Sequence, residues 1–187
     1  KSLMEYMVAE YIWEKVQDLL EKNRYGKYTL DEKQALELFW NLFNKKLLSN
    51  EIVNNLIEII KNENQHIKDE LSNRLDSFMQ YFLDKDFIYK YNIEDSNPLK
   101  KSLSTFYGLW TILSHLDNKN HLLSNDKGMK IISFLNKINY PESISYDNSD
   151  FTKLRMERFE IAENHLYNVN FSFTQIWNCD WSSLLIT

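Results

Sequence analysis

Three residues in one short segment have the types and the spacing of a metal site. Glu63, His66 and Glu70 recur at intervals of three and four residues, so a helix would carry them on one face. Glu63 and His66 have the ExxH spacing by which di-iron bundles place a carboxylate and an imidazole on one metal. A di-iron site requires a second ExxH motif. The nearest other candidate, Glu163 with His165, has the wrong spacing for that motif. We therefore expect a solvated polar face here, with no metal and no other cofactor.

The single cysteine and two further histidines are the remaining candidates for catalysis. Cys179 lies between Trp177 and Trp181, whereas a reactive thiolate favours a helix N-terminus or a cationic neighbour. His115 and His121 straddle a predicted helix end, and no third group is placed to orient either ring. The three glycines are isolated, which excludes a phosphate-binding loop, and Gly108 is expected to permit close helix packing. No GxSxG or HExxH motif occurs. These observations predict a protein that is not an enzyme.

The charge of the chain is uneven. The formal net charge is −5, and residues 141–187 hold seven acids against three bases, while residues 1–140 hold 20 acids and 19 bases. Nucleic-acid binding requires a cationic surface, and the sequence contains no cluster of Lys or Arg. A basic protein partner is the better electrostatic match.

Composition favours a helical protein that buries a core. The chain has 187 residues, 43% of them hydrophobic and 14% aromatic, and only five are Gly or Pro. One cysteine permits no internal disulfide, and no stretch of 18 uncharged apolar residues occurs, so we expect a cytoplasmic protein without a membrane segment. We expect one helical domain over residues 1–187, with residues 1–3, ahead of Met4, set aside as a tag remnant.

Apolar residues at three- and four-residue spacing predict about seven helices. The first covers residues 4–22 and would bury a stripe of apolar side chains. That predicted stripe is Met4, Met7, Val8, Tyr11, Ile12, Val16, Leu19 and Leu20. Thr29 with Glu32 fits a capping box for the second helix, Ser49 begins a third segment, and Pro98 suits the first turn of another helix. Residues 50–83 form either one bent helix or two, and further helices are predicted over residues 124–140 and 150–166.

The fold class predicted from these elements is all-α. The helices would pack in antiparallel pairs of about 40 residues, either as an irregular bundle or as a short α-solenoid. One short strand is expected near residues 168–174, where Val169, Phe171 and Phe173 alternate with polar residues. Helical spacing resumes in the tail at Trp177 and Trp181, which predicts that this apolar tail closes the core.

Acidic residues of the last quarter form the predicted partner-binding surface. On the helix predicted over 150–166 the acids lie opposite the apolar residues, and the preceding loop and the tail add further acids with aromatic residues. Carboxylates steer the encounter with a basic partner, and Tyr or Trp provides desolvated contact. The predicted binding residues are Glu142, Tyr146, Asp147, Asp150, Glu157, Glu160, Asp180 and Trp181.

The function predicted from these patterns is inhibition of a basic protein, in the manner of a bacterial immunity protein or phage-type inhibitor that blocks a nuclease toxin. The bias towards Asn, Lys and Ile is typical of an AT-rich genome. One alternative is a helical scaffold or regulatory protein that binds other proteins or peptides. A second alternative is an enzyme with a helical active site that assembles only in three dimensions.

Overall fold

A computed structural model describes residues 3–43, 48–84, 98–117, 121–122, 149–151, 155–157, 165–166, 169–177 and 185–186. The chain divides into two compact units, Lys1–Asp117 and Asn118–Thr187. One helical domain over residues 1–187 stays a prediction. No helix among the described residues is long and apolar enough to span a membrane.

The described chain is mostly helical, which confirms the coarse prediction of an all-α fold. Its helices all lie in the first unit: α1, Leu3–Gln17, followed by a 3-10 turn, Asp18–Leu20; α2, Glu32–Phe43; α3, Asn50–Asn62; α4, Gln65–Asp84; and α5, Pro98–Leu116. The helix predicted over 124–140 lies outside the described residues. A count of seven helices and a solenoid arrangement stay predictions.

Helix ends in the first unit follow local hydrogen bonding. The Ser49 hydroxyl accepts from the Ile52 amide at 3.4 Å, which confirms the predicted start of α3. The capping box of α2 lies two residues beyond the predicted Thr29: the Asp31 carboxylate accepts from the Gln34 amide at 2.8 Å, and the Gln34 side chain accepts from the Asp31 amide at 3.0 Å. Glu63 has an extended backbone and ends α3, so residues 50–83 form two helices.

The core of the first unit is aromatic. The Phe39 ring lies 6.4 Å from Phe43 and 6.4 Å from Phe78, and all three are essentially fully buried. Gly108 in α5 lies so close to α2 that an added Cβ would come within 2.5 Å of the Phe43 ring. This contact confirms the prediction that Gly108 permits close helix packing.

The predicted buried stripe of α1 is wrong at its N-terminal half. Met4, Met7, Val8 and Tyr11 are exposed by 75%, 59%, 37% and 54%, respectively. Ile12 and Val16 are buried as predicted, but Ala9 and Trp13 are buried with them instead of the four N-terminal residues. Because α1 is apolar on both sides, spacing alone could not decide which side faces the bundle.

The second unit contains short parallel strands where helices were predicted. The strands are β1, His121–Leu122; β2, Ser149–Asp150; β3, Arg155–Glu157; β4, His165–Leu166; β5, Gln175–Trp177; and β6, Leu185–Ile186. They pair in parallel as β1 with β2, β3 with β5 and β4 with β6. The helix predicted over 150–166 is therefore wrong at its described residues, and the predicted return to helical spacing after 174 is wrong at 175–177 and 185–186. The strand expected near 168–174 is displaced, since β5 begins at Gln175.

Two of these strand pairs have the same register. Arg155 lies opposite Gln175 and His165 lies opposite Leu185, so both pairs join residues twenty apart in sequence. Parallel strands require a crossover of a dozen or more residues, and a separation of twenty satisfies this requirement. From β3 to β6 the described chain therefore returns beside itself after twenty residues, whereas β1 and β2 pair residues 28 apart.

Candidate partner-binding site

Of the eight predicted binding residues, the structure describes two, both in strands. Asp150 ends β2 and lies opposite Leu122 of β1. Glu157 ends β3 and lies opposite Trp177 of β5. The other six, Glu142, Tyr146, Asp147, Glu160, Asp180 and Trp181, lie outside the described residues. Asp150 and Glu157 were predicted to share one face of a helix. The structure places both in strands instead, where strand register determines their neighbours.

Phe151 fixes the backbone beside Asp150. Its side chain is fully buried, and its ring lies 5.4 Å from the ring of Phe171, a residue that is also twenty positions away. The Phe151 amide donates to the Asn170 carbonyl at 2.8 Å, and the Thr174 hydroxyl donates to the Phe151 carbonyl. The twenty-residue spacing therefore occurs at a third place, where it is stabilised by an aromatic contact and two hydrogen bonds.

A five-residue period in the sequence accompanies this register. Every fifth residue from Phe151 to Ile186 is apolar: Phe151, Met156, Ile161, Leu166, Phe171, Ile176, Trp181 and Ile186. Met156 lies opposite Ile176, and Leu166 lies opposite Ile186. Four periods of five make one separation of twenty, so the described members of the series pair with one another. A search for internal periods other than 3.6 would have found this signal.

A turn between Asn170 and β5 displays an aromatic side chain. The Asn170 side-chain oxygen accepts from the Ser172 amide at 3.0 Å and from the Ser172 hydroxyl at 2.7 Å. The Thr174 amide donates to the Phe171 carbonyl at 3.1 Å. Phe173 at the centre of this turn has φ of 60° and is 84% exposed. A bulky residue seldom adopts this left-handed conformation, and the expected strand alternation fails at this position.

The second unit as a whole carries little net charge. The second unit, residues 118–187, holds eight acids and seven bases, so it is less acidic than its last part alone. The excess is concentrated after Arg158, where Glu160, Glu163 and Asp180 occur and no Lys or Arg does. The excess negative charge that would attract a basic partner therefore lies in residues 159–187.

The segment that resembled a metal site connects the elements of the first unit. The half-buried Glu63 carboxylate accepts from the Trp13 indole at 2.9 Å, the Gln17 amide at 2.7 Å and the Asn64 backbone at 2.8 Å. These donors, the Asn64 amide first, lower the pKa of Glu63. Glu63 thus ties α1 to the end of α3, which corrects the expectation that it lies on a solvated face.

Glu70 is held in a second polar cluster. Its carboxylate accepts from the Lys22 ammonium at 2.6 Å and from the Tyr28 hydroxyl at 2.8 Å, and the Lys22 hydrogen bond lowers the pKa of Glu70. The Arg74 guanidinium lies 3.8 Å from the centre of the Tyr28 ring and donates to the Leu30 carbonyl. The cluster fixes the turn that contains Gly26 against α4.

The histidines and the cysteine are the remaining candidates. His66 is exposed, and among the described residues no group of three His, Cys, Asp or Glu side chains could hold a metal ion. His115 contacts the Thr111 carbonyl at 2.8 Å within α5, whereas His121 lies in β1 of the second unit. Cys179 lies outside the described residues.

No protein-family model, curated protein or solved structure matches this chain. The function is therefore inferred from the chain's own residues.

Proposed function

We propose that this protein is a non-enzymatic binding protein whose second unit docks an acidic surface on a basic protein. The class of protein that fits this role is a bacterial immunity protein or phage-type inhibitor, with a nuclease toxin as its target. Electrostatic complementarity would accelerate association and would exclude acidic competitors.

The parallel register of the second unit is the observation that carries this proposal. Because residues twenty apart lie side by side in two strand pairs, acids that are distant in sequence can share one surface. Glu160 and Asp180 are separated by twenty residues, as are Glu157 and Trp177. The proposal places these four residues on the docking surface, with Trp177 as the aromatic contact beside Glu157.

The absence of bases after Arg158 also supports a basic target. Three acids and no Lys or Arg occur in the last 29 residues, so no internal cation is available in this segment to neutralise them. Like charges in proximity are unfavourable in the free protein. A cationic partner removes this repulsion on binding.

A helical scaffold that binds other proteins remains the second candidate function. The observation that favours it is the exposed apolar side of α1, which lies in the other unit. This candidate differs in the residues that it requires, because the apolar side of α1 and not the acids of the second unit would contact the partner.

The decisive experiment measures binding of the full chain to the product of the neighbouring gene by calorimetry, at about 50 and about 500 mM salt. We expect the double variant Glu160→Lys, Asp180→Lys to weaken binding at least about tenfold at low salt. The double variant Glu37→Lys, Glu51→Lys, which makes the same charge change at exposed positions of α2 and α3, is the matched control.

Two outcomes would contradict the proposal. One is binding that neither salt nor the double variant at Glu160 and Asp180 changes. The other is an equal loss of affinity in the control at Glu37 and Glu51, which would indicate that only total charge matters. Thermal melts of each variant verify that the fold is intact.

A further inference from the structure

The exposed side of α1 has the spacing of a helix that docks in a groove. Met4, Met7, Val8 and Tyr11 occupy positions i, i+3, i+4 and i+7, and each is between 37% and 75% exposed. This is the spacing by which amphipathic helices insert their anchor residues into a hydrophobic groove of a partner. Methionine is well suited to such contacts because its flexible thioether adapts to irregular surfaces.

The helix cannot rotate to bury these residues in its own bundle. Its other side packs Ala9, Ile12, Trp13 and Val16 into the core, all at most 4% exposed. The Trp13 indole and the Gln17 side chain both donate to Glu63, which fixes the rotation of α1 about its axis. The outward side is thus a consequence of the packed core.

The exposed patch has an area typical of binding surfaces. The four side chains together expose on the order of 400 Å² if a large side chain presents roughly 200 Å² when free. The largest apolar patch of a typical monomer is about 300–600 Å² and is often a binding site. The patch amounts to roughly half of what one partner contributes to a standard interface, so it can form the interface core.

The charges beside the patch identify the chemistry of the partner. Glu10 and Glu14 on α1 are exposed and Glu5 is half-exposed. The one base of the helix, Lys15, is paired with Asp18 at 2.8 Å. A second copy of α1 would bring these acids together, whereas a groove bordered by Lys and Arg would complement them.

We propose that α1 docks through Met4, Met7, Val8 and Tyr11 in an apolar groove of a protein partner whose rim is basic. Glu10 and Glu14 contact that rim. This surface belongs to the first unit and does not depend on the acids of the second unit, so the two proposals can fail separately.

The test uses a synthetic amphipathic peptide of three heptads as the probe, with Leu at the a and d positions and Lys elsewhere. The peptide carries a fluorophore, and its binding to the full chain is measured by fluorescence anisotropy. We expect Met7→Lys and Tyr11→Lys each to weaken binding at least about tenfold. Tyr25→Lys places the same substitution at a 71% exposed aromatic residue outside α1 and should bind like the unchanged protein.

Further variants and a second peptide test whether the acids beside the patch are required for binding. Glu10→Lys with Glu14→Lys should weaken binding several-fold at low salt, while Glu37→Lys with Glu51→Lys should not. A peptide with Glu in place of every Lys should bind far more weakly to the unchanged protein. Glu160→Lys with Asp180→Lys should leave peptide binding unchanged, which separates this surface from that of the second unit.

Three results would overturn the inference. The first is peptide binding that is absent, or that survives Met7→Lys. The second is equal binding of the basic and acidic peptides, which would leave only a non-specific apolar surface. The third is a dimer in sedimentation that Met7→Lys dissociates, which would identify a second copy as the occupant.

Discussion

The two units bury aromatic residues by different periodicities. In the first unit Phe39 and Phe43 are four residues apart on one helix and stack at 6.4 Å. In the second unit Phe151 and Phe171 are twenty residues apart and approach to 5.4 Å. The first contact is local, whereas the second requires the chain to leave and return in register. Apolar spacing therefore predicts a core contact only when the backbone path is known.

The polar contacts differ in the same way. In the first unit, long-range carboxylates tie helices and turns together, as Glu63 does for Trp13 and Glu70 does for Lys22. In the described part of the second unit, the Asn170 side chain accepts from the Ser172 amide within the turn, and the Thr174 hydroxyl donates to the Phe151 carbonyl. A change in the ionisation of side chains therefore affects the polar contacts of the first unit more directly than those of the second unit.

The largest expected effect tests whether the two cores are separate. Phe39→Ala and Phe151→Ala each remove a fully buried ring and should cost about 3–5 kcal/mol of unfolding free energy. We expect amide hydrogen exchange to rise mainly in the unit that carries the substitution. An equal rise in both units after either substitution would break the comparison and would support one cooperative domain over 1–187.

The next effect tests the five-residue period. Ile176→Asp places a charge at a half-buried position opposite Met156 and should cost roughly 2–3 kcal/mol. Gln175→Asp, one residue earlier and exposed, should change stability by less than about 0.5 kcal/mol. Urea denaturation measures both, and equal losses would mean that the period does not define the buried positions.

Gly108→Ala tests close packing in the first unit. In an exposed helix interior this change would stabilise by about 1 kcal/mol, but here the new Cβ meets the Phe43 ring. We expect a loss of roughly 1–3 kcal/mol in thermal denaturation. Gly26→Ala has no neighbour within 4 Å and should cost only the backbone strain of its φ of 76°, about 1 kcal/mol. A gain at Gly108 would show that α2 and α5 are not in tight contact.

The pH dependence of stability tests the Glu63 contacts. Because the folded state lowers the pKa of Glu63, its contribution is present above the unfolded carboxyl pKa and is lost as pH falls through the lower folded pKa. Glu63→Gln should therefore cost about 1 kcal/mol at neutral pH, allowing for partial exposure, and the difference should shrink below about pH 4. Glu37→Gln, at an exposed position of α2, is the control and should show little change. A difference that is constant with pH would exclude an ionic contribution.

The smallest expected effect has the opposite sign. Phe173→Asn replaces a bulky left-handed residue by one that tolerates φ of 60°, and little packing is lost at 84% exposure. We expect a gain of about 0.5–1 kcal/mol in urea denaturation. Tyr25→Asn, at a similarly exposed aromatic residue, should give no gain. A loss at Phe173 would indicate that its ring packs in solution.

Local signals in the sequence predicted several features correctly. The Ser49 cap, the start of α5 at Pro98 and the close approach at Gly108 each depend on one residue and its near neighbours. The capping box was misplaced because Thr29 and Asp31 both precede a suitable partner, and the structure uses Asp31 with Gln34. The prediction of a helix over 150–166 was wrong at its described residues. Phe151, Leu154 and Ile161 satisfy helical spacing within a short window, although part of the same segment forms strands.

By itself the sequence determined that the first unit is helical and where several of its helices begin, since propensity, caps and breakers act over a few residues. Tertiary structure alone decided which side of α1 is buried, that Glu63 meets Trp13 fifty residues away, and that Phe151 meets Phe171. These outcomes depend on contacts between distant segments, and such contacts form only when the chain entropy lost in bringing them together is offset by packing. The same holds for the two proposed surfaces, because packing leaves one side of α1 outside and register brings Glu157 opposite Trp177.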